Sequence, residues 1–563
     1  MNKAIRALAN NKATGSDGIP NEAWKHLGGA RQELLDFMNR CWREEQFPED
    51  WRLSEVVAIF KKGSSSDPAN YRPISLLQTA YKIMGKMLVK RLEAGLEGCV
   101  KDTQYGFRRG KSTAEPLFIL RRLQDLVHAK KNHALHLIFL DWSKAFDKVD
   151  TRRLPEVLTR MGVPDKVVRV VKAFIEGPEF LVRMGTGDKS SKKKQDTGIR
   201  QGCTLSPFLF TLILTAIMQD VEAKVRAEHP MATTPAMPVM DLEYADDTAL
   251  IAKTAEIATK LLQYTEEEAA RYGLHVNRTK TFRLAYNSKE EVRFADGMAV
   301  PKVEVLKYLG TLMSDVGSTE HELKSRTRKA LARCRALRPI WAASNLTTRQ
   351  SLRVLNSCVF SALLYGLQTL YLPEGLERGL DALQVRCIRR ALGIRSTYAS
   401  KIIGEPPTTN QEVAHMAGAK PLSAELTKMR YQLLGHVLRR EGADPMRAAT
   451  YDRFGQPKTL AGVNRHGRMR MCWAPEVIES AAQELRNQGT LRPDSYDING
   501  GPGHPYSKVT QLAQDRQAWK AWVDRWYNNQ GWWSFRSTAQ PGEGRGAVHR
   551  STGRPLSPAR SRL

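Results

Sequence analysis

Asp141 closes a short apolar run, HALHLIFLD (133–141), while Asp246 and Asp247 sit side by side in MDLEYADDTALIAK (240–253). Carboxylates are hard oxygen donors of the kind Mg²⁺ prefers. An apolar strand ending on Asp141, set beside a hairpin with Asp246 and Asp247 at its tip, would bring all three to one end of a sheet. Carboxylates so placed suit phosphoryl chemistry. Two Mg²⁺ ions about 4 Å apart can activate an attacking hydroxyl and hold a leaving pyrophosphate. A paired aspartate in a β-turn is ordinarily a solvated turn former, so the surrounding segments must decide between the two readings.

The elements that would position these residues are legible as patterns. VVAIF is β-rich, GSSSDPAN is a loop, and SLLQTAYKIMGKMLVKRL carries apolar residues at helical spacing. TRRLPEVLTRMG, TLSPFLFTLILTAIMQDVEAKV and AEIATKLLQYTEEEAARYGL predict helices, and Pro20 and Asn21 start another near Glu22. FLVRMGTGDKSSKKKQDTGIRQG (180–202) predicts two strands joined by a lysine-rich hairpin. Its KSSKKK is either a solvated loop or a nuclear-import patch, the former being the commoner use.

Beyond residue 320 the chain is helical and basic. Leu323, Thr327, Ala330, Leu331, Cys334 and Leu337 share one helical face, with Lys324, Arg326, Arg328, Arg333 and Arg335 mostly off it. Arg326, Arg328 and Arg333 are therefore expected to reach phosphates. Trp473, Trp519, Trp522, Trp526, Trp532 and Trp533 cluster late and read as core anchors before base-stacking platforms. The segment from about 536 is rich in Gly, Pro, Ser and Arg and is expected to be disordered.

Bulk properties agree with a nucleic-acid partner. The 563 residues hold 87 Lys and Arg against 59 Asp and Glu, a net charge of +28 that a polyanion would relieve. Hydrophobic residues make up 42%, enough for ordinary cores. The seven cysteines are scattered with no CxxC, which argues against a zinc knuckle or disulfide scaffold and for a reducing compartment. No apolar signal core or run of about 18 apolar residues is present, so an intracellular protein with no membrane partner is expected.

Eight segments in order carry a resemblance. LDWSKAFDKVD (140–150), GIRQGCTLSPFLF (198–210), YADD (244–247), GLHVNRTKT (273–281) and LKYLG (306–310) resemble the successive catalytic motifs of reverse transcriptases from non-LTR (LINE-type) retrotransposons. Upstream, NKATGSDGIP, NYRPISLL and QYGFRRGKST resemble that family's finger segments, and LLGHVLRR (433–440) a more degenerate downstream element. The likeness covers roughly residues 10–400.

The resemblance implies an α+β right-hand polymerase fold with a helical basic C-terminal region. It places fingers and palm in 1–312, a helical thumb in 313–400, a mixed region of open role in 401–535 and the basic tail in 536–563. It implies RNA-directed DNA synthesis from a DNA primer on an RNA template, with dNTPs, two Mg²⁺ ions (Mn²⁺ as a substitute) and a DNA target as partners, in the nucleus. Asp141 and Asp246 would be the principal metal ligands and Asp247 an accessory one. Phe146 would crowd a ribose 2′-hydroxyl, Gln201 and Gly202 would lie along the incoming nucleotide, and Arg72 would grip its triphosphate. Lys280 would protonate the leaving pyrophosphate, and Tyr308, Leu309 and Gly310 would grip the primer end.

The family usually carries an endonuclease. The chain starts just ahead of the finger segments, and no Cys/His cluster or nuclease pattern lies downstream of them, so a truncated copy or a fragment is expected. Other readings stay open: an RNA-dependent RNA polymerase, against which a bulky Phe146 argues; a group II intron maturase; or an RNA-binding remnant without activity.

Overall fold

The computed structural model describes residues 1–26, 28–129, 133–183, 188–234, 237–315, 319–343, 346–451, 458, 472–488 and 505–532. The chain forms two compact units. The first comprises Met1–Ser325, Tyr365–Leu372 and Leu433–Arg516, and the second Arg326–Leu364, Pro373–Gln432 and Gln517–Leu563.

The first unit is α+β, as expected. Its strands are β1 (Leu53–Phe60), β2 (Tyr71–Leu76), β3 (Leu135–Leu140), β4 (Glu179–Val182), β5 (Lys193–Lys194), β6 (Asp241–Tyr244), β7 (Asp247–Ala252), β8 (Phe282–Tyr286), β9 (Val305–Tyr308) and β10 (Thr311–Ser314). One sheet runs β2-β1-β4-β5, a second runs β6-β7-β3-β8, and β9 pairs with β10 alone. In the second sheet β3 lies between β7 and β8, antiparallel to both. Every β3 side chain is buried, which explains why its sequence is apolar at every position but His136 rather than alternating.

Two helices back that sheet. Ser206–Glu228 is apolar on all sides over Phe208–Met218, where every side chain is buried. Ala255–Ala270 packs beside it and is capped by the Thr254 hydroxyl, which accepts from the Ile257 amide at 3.2 Å. Among the described residues no helix is long and apolar enough to cross a membrane.

Some expectations shift in detail. The strand-forming run upstream of Thr79 is longer than its composition suggests: β2 takes Tyr71–Leu76, and the helix begins only at Thr79. Pro73 sits on this edge strand, where its missing amide leaves no gap in the ladder. Lys193 and Lys194 lie on β5 rather than in the loop, and 184–187 fall outside the described residues. LLGHVLRR closes onto the helix Ala114–Ala129, which begins where QYGFRRGKST ends. His436 Nε2 and Arg440 Nη2 lie 3.0 and 3.3 Å from Glu115 Oε1, and Glu115 is buried.

The second unit is helical. Thr319–Ala336 leads into it, followed by Arg338–Ala343, Thr348–Leu355, a π-helical turn Asn356–Phe360, Glu374–Ala391, Asn410–Ala417 and the start of Leu422–Leu438. Trp519, Trp522 and Trp526 are buried around Tyr431, whose carbonyl accepts from the Trp519 indole at 3.0 Å. They are core anchors, as expected; Trp533 and the basic tail lie outside the described residues.

Arg326 is a correction. It follows Leu323 by three residues and precedes Ala330 by four, so it shares their buried face. Its guanidinium donates to the Ala362 carbonyl at 3.1 Å. Arg328 and Arg333 are exposed, as expected.

Candidate active site

β3 ends at Leu140, which pairs with Thr248; one further step of that register sets Asp141 opposite Asp247. β6 and β7 form a hairpin closed by Tyr244 and Asp247, with Ala245 and Asp246 as its two-residue turn. Ala245 takes the left-handed conformation at φ 60°. The sheet thus brings Asp141, Asp246 and Asp247 to one end. Asp247's carboxyl is pushed up to about 6 by crowding from surrounding protein and by the Asp246 and Asp141 carboxylates. Lys280, in the turn Arg278–Lys280, places Nζ 3.8 Å from Asp141 Oδ2.

The segment after Asp141 is fixed by GLHVNRTKT. The Asn277 amide donates to the Asp141 carbonyl at 2.7 Å, and the Ser143 amide to the His275 carbonyl at 2.9 Å. The Trp142 indole donates to the Thr248 hydroxyl at 3.1 Å, tying the Asp141 strand end to the hairpin. Phe146 is half-buried, stacked on Phe210 at 4.7 Å and edge-on to Phe107 at 6.4 Å. Gln201 donates to Asp147 Oδ1 at 2.9 Å, and its carbonyl accepts from the Ser75 amide at 2.7 Å. Gly202 has φ +136°, and a Cβ there would lie 2.3 Å from the Ser75 carbonyl oxygen. The glycine is demanded by this close approach of β2. Arg72 is exposed on β2, paired in register with Ile59.

Tyr308, Leu309 and Gly310 form the tight turn between β9 and β10, with φ +43° at Leu309 and +80° at Gly310. The Tyr308 side chain does not project outward from it. It is buried against Phe139, with its hydroxyl unpaired, so any grip on a strand falls to the Leu309–Gly310 backbone. The Tyr365 hydroxyl donates to the Leu309 carbonyl at 3.0 Å and steadies the turn.

Sequence reasoning missed the support beneath the aspartate hairpin. β6 is an edge strand, and Thr103–Gly106 covers it. The Glu243 amide donates to the Thr103 carbonyl at 2.9 Å, and the Tyr105 amide to the Glu243 carbonyl at 2.8 Å. Gln104 Oε1 accepts from the amides of Gly106 at 2.7 Å and Ala245 at 3.3 Å, while its Nε2 donates to Glu243 at 2.7 Å. A Cβ at Gly106 would lie 2.0 Å from the Ala245 nitrogen. Beside them Lys101 bridges Asp241 at 3.0 Å and Glu222 at 2.5 Å. Burial works against its charge, but those carboxylates hold the ammonium above its ordinary range. Only the string QYGFRRGKST signalled that this segment matters.

The donor set is all carboxylate, and the strain among its charges is what a divalent cation would relieve. Among the described residues no group of three His, Cys, Asp or Glu side chains is drawn in closely enough to form a ready coordination shell. Lys280 beside Asp141 puts a proton donor at the edge of the same cluster.

Residues 59–313 match the reverse transcriptase (RNA-dependent DNA polymerase) family. The chain carries a reverse transcriptase domain. The fold belongs to the right-hand polymerase class, and the relatives the chain matches include polymerases of mobile elements. The chain is 28% identical over 384 residues to a probable RNA-directed DNA polymerase from transposon BS of Drosophila melanogaster, covering 65% of this chain and 41% of that protein. It is 28% identical over 407 residues to the RNA-directed DNA polymerase from mobile element jockey of the same species, covering 69% and 43%. It is 22% identical over 529 residues to a retrovirus-related Pol polyprotein from a type-1 retrotransposable element R2 of Popillia japonica, covering 91% and 67%. The chain therefore spans about two fifths of the length of the first two. Among solved structures, apo telomerase from Candida tropicalis aligns loosely, at 13% identity and a TM-score of 0.40 over 75% of this chain and 74% of that one. All three aspartates, Phe146, Gln201, Gly202, Lys280 and the Tyr308–Gly310 turn lie inside the reverse transcriptase domain.

Proposed function

We propose that the chain is an RNA-directed DNA polymerase of non-LTR retrotransposon type, extending a DNA primer on an RNA template. The observation that carries the reading is the convergence of Asp141, Asp246 and Asp247 at one end of the β6-β7-β3-β8 sheet, inside a reverse transcriptase domain. Asp141 and Asp246 would hold two Mg²⁺ ions, with Asp247 accessory; the ions would supply Lewis acidity to the primer hydroxyl and neutralise pyrophosphate.

The chain's own groups do the rest. Lys280, which already sits at Asp141, donates a proton to the departing pyrophosphate oxygen. The Phe146 ring, fixed on Phe210, leaves no room for a 2′-hydroxyl and so selects dNTPs. Gln201, held by Asp147, lies along the incoming nucleotide, and exposed Arg72 offers a fork of donors to its triphosphate. The Leu309–Gly310 turn supports the primer end. The nucleus is the compartment where such a polymerase meets its DNA target.

Primer extension on an RNA template with dNTPs and Mg²⁺ tests this. The wild-type chain should extend, and Asp246→Asn should lose on the order of 10²–10³-fold or more in rate with its circular dichroism unchanged. Wild-type protein that binds template and never extends it would sink the reading, leaving a binding remnant. Preferential use of rNTPs would reassign it as an RNA polymerase.

A further inference from the structure

Three arginines of the second unit meet at one cavity. It has a volume of about 1090 Å³, just above the usual range for ligand sites. Arg335 reaches it from the last turn of Thr319–Ala336, Arg338 from the start of the next helix, and Arg390 from the last turn of Glu374–Ala391. An arginine at a helix C-terminus ordinarily complements the helix dipole. Three at the rim of one cavity also repel one another, and no carboxylate among the described residues lines the cavity with them. Among the described residues no carboxylate forms an ion pair with any of the three.

The rest of the wall is suited to a planar apolar group. Trp341 lines the cavity, and its indole Nε1 is buried with no hydrogen-bond partner. Ile394 and the exposed Met416 extend the apolar surface. Thr348 and Ser351, in the first turn of Thr348–Leu355, add hydroxyl groups to the wall. Charge for a phosphate and an aromatic face for a ring occur together here, in a unit separate from the one that holds the aspartates.

We propose that this cavity binds an unpaired nucleotide of a nucleic-acid strand, its phosphate among Arg335, Arg338 and Arg390 and its base against Trp341. A strand rather than a free nucleotide fits because the arginines are exposed at the cavity mouth, where a backbone can run on past the site, and because the chain carries +28 overall. The inference does not rest on the polymerase reading, since its test measures binding and not extension.

The full chain should be titrated into three fluorescent probes: a blunt RNA–DNA duplex, the same duplex with an oligouridine tail, and N-methylanthraniloyl-AMP. The wild type should hold the tailed duplex more tightly than the blunt one. Trp341→Ala, and separately the pair Arg335→Glu and Arg390→Glu, should weaken the tailed complex roughly tenfold, with blunt binding nearly unchanged. Trp341→Phe should keep most of the preference. The arginines are exposed, so that pair tests the site even if Trp341→Ala unfolds, which thermal melting would reveal. Equal losses on blunt and tailed duplexes would reduce the effect to general charge and overturn the proposal. Unchanged tail preference in both variants would overturn it too. Tight binding of N-methylanthraniloyl-AMP that abolishes tail preference would assign the cavity to a free nucleotide instead.

Discussion

Phe146 is where packing and the proposed choice of sugar would meet in one side chain. Its ring is stacked on Phe210 and meets Phe107 edge-on, contacts that would hold it in place against a larger sugar. Phe146→Val should relax the choice between dNTP and rNTP by roughly 10–100-fold, measured as the ratio of kcat/KM values in primer extension. An unchanged ratio, in a variant that still extends, would make Phe146 a core residue only. Residues of this kind were legible because the AFDKVD string fixed their spacing from Asp141. Gln104 was not: a glutamine in a loop carries no periodicity, and its worth lies in contacts with Glu243 and Ala245, about 140 residues away in the chain. Arg326 was misread for a related reason, since charge pointed outward while helical spacing pointed in.

At the scale of elements, β3 binds the sheet together and contains an anomaly. His136 is fully buried between β7 and β8, and neither ring nitrogen has a hydrogen-bond partner. Burial, with Arg283 and Lys302 nearby, pushes its imidazole down to about 4 from an ordinary 6.5. The neutral ring is therefore the folded form. Because the folded value lies below the unfolded one, the contribution is whole above about pH 6.5 and is lost as pH falls toward 4. It amounts to about 3 kcal/mol. The unfolding free energy lost between pH 7 and 4.5, measured by urea titration, should be smaller in His136→Met than in the wild type by about 2 kcal/mol, most of that total. Parallel losses in the two proteins would exclude His136 as the source. The apolar run of β3 was readable from sequence, as were the aspartate hairpin and the long buried helix. The covering of β6 by Thr103–Gly106 was not, because an edge strand does not announce in its own residues what will lie against it.

Over the whole molecule, the excess of positive charge is unevenly available. Arg326, Arg200 and Arg389 are buried and engaged with backbone carbonyls or, for Arg200, also with Tyr81, so they cannot release counterions from a nucleic acid. Arg328 and Arg333 remain exposed on the helix Thr319–Ala336. Replacing both with alanine should flatten the slope of log affinity against log salt by about 0.7–0.9 for each phosphate they no longer neutralise. Arg326→Ala should leave that slope alone and lower the melting temperature instead. A slope that moved with Arg326 and not with the other two would reverse the assignment of faces. Net charge announces a polyanionic partner from sequence alone, but only the fold separates the arginines that can reach it from those that hold helices together.

The fit of Gly106 against Ala245 bears on how copies of such a sequence decay. A copy that kept YADD and Asp141 but replaced Gly106 would look intact to anyone scanning for its signature. Its new side chain would press on the turn that presents Asp246, because a Cβ there falls 2.0 Å from the Ala245 nitrogen. Such a copy would be a silent relic, carrying every letter of the chemistry and unable to assemble it. Gly106 and Gln104 belong beside the aspartates in any test of whether an element is still alive.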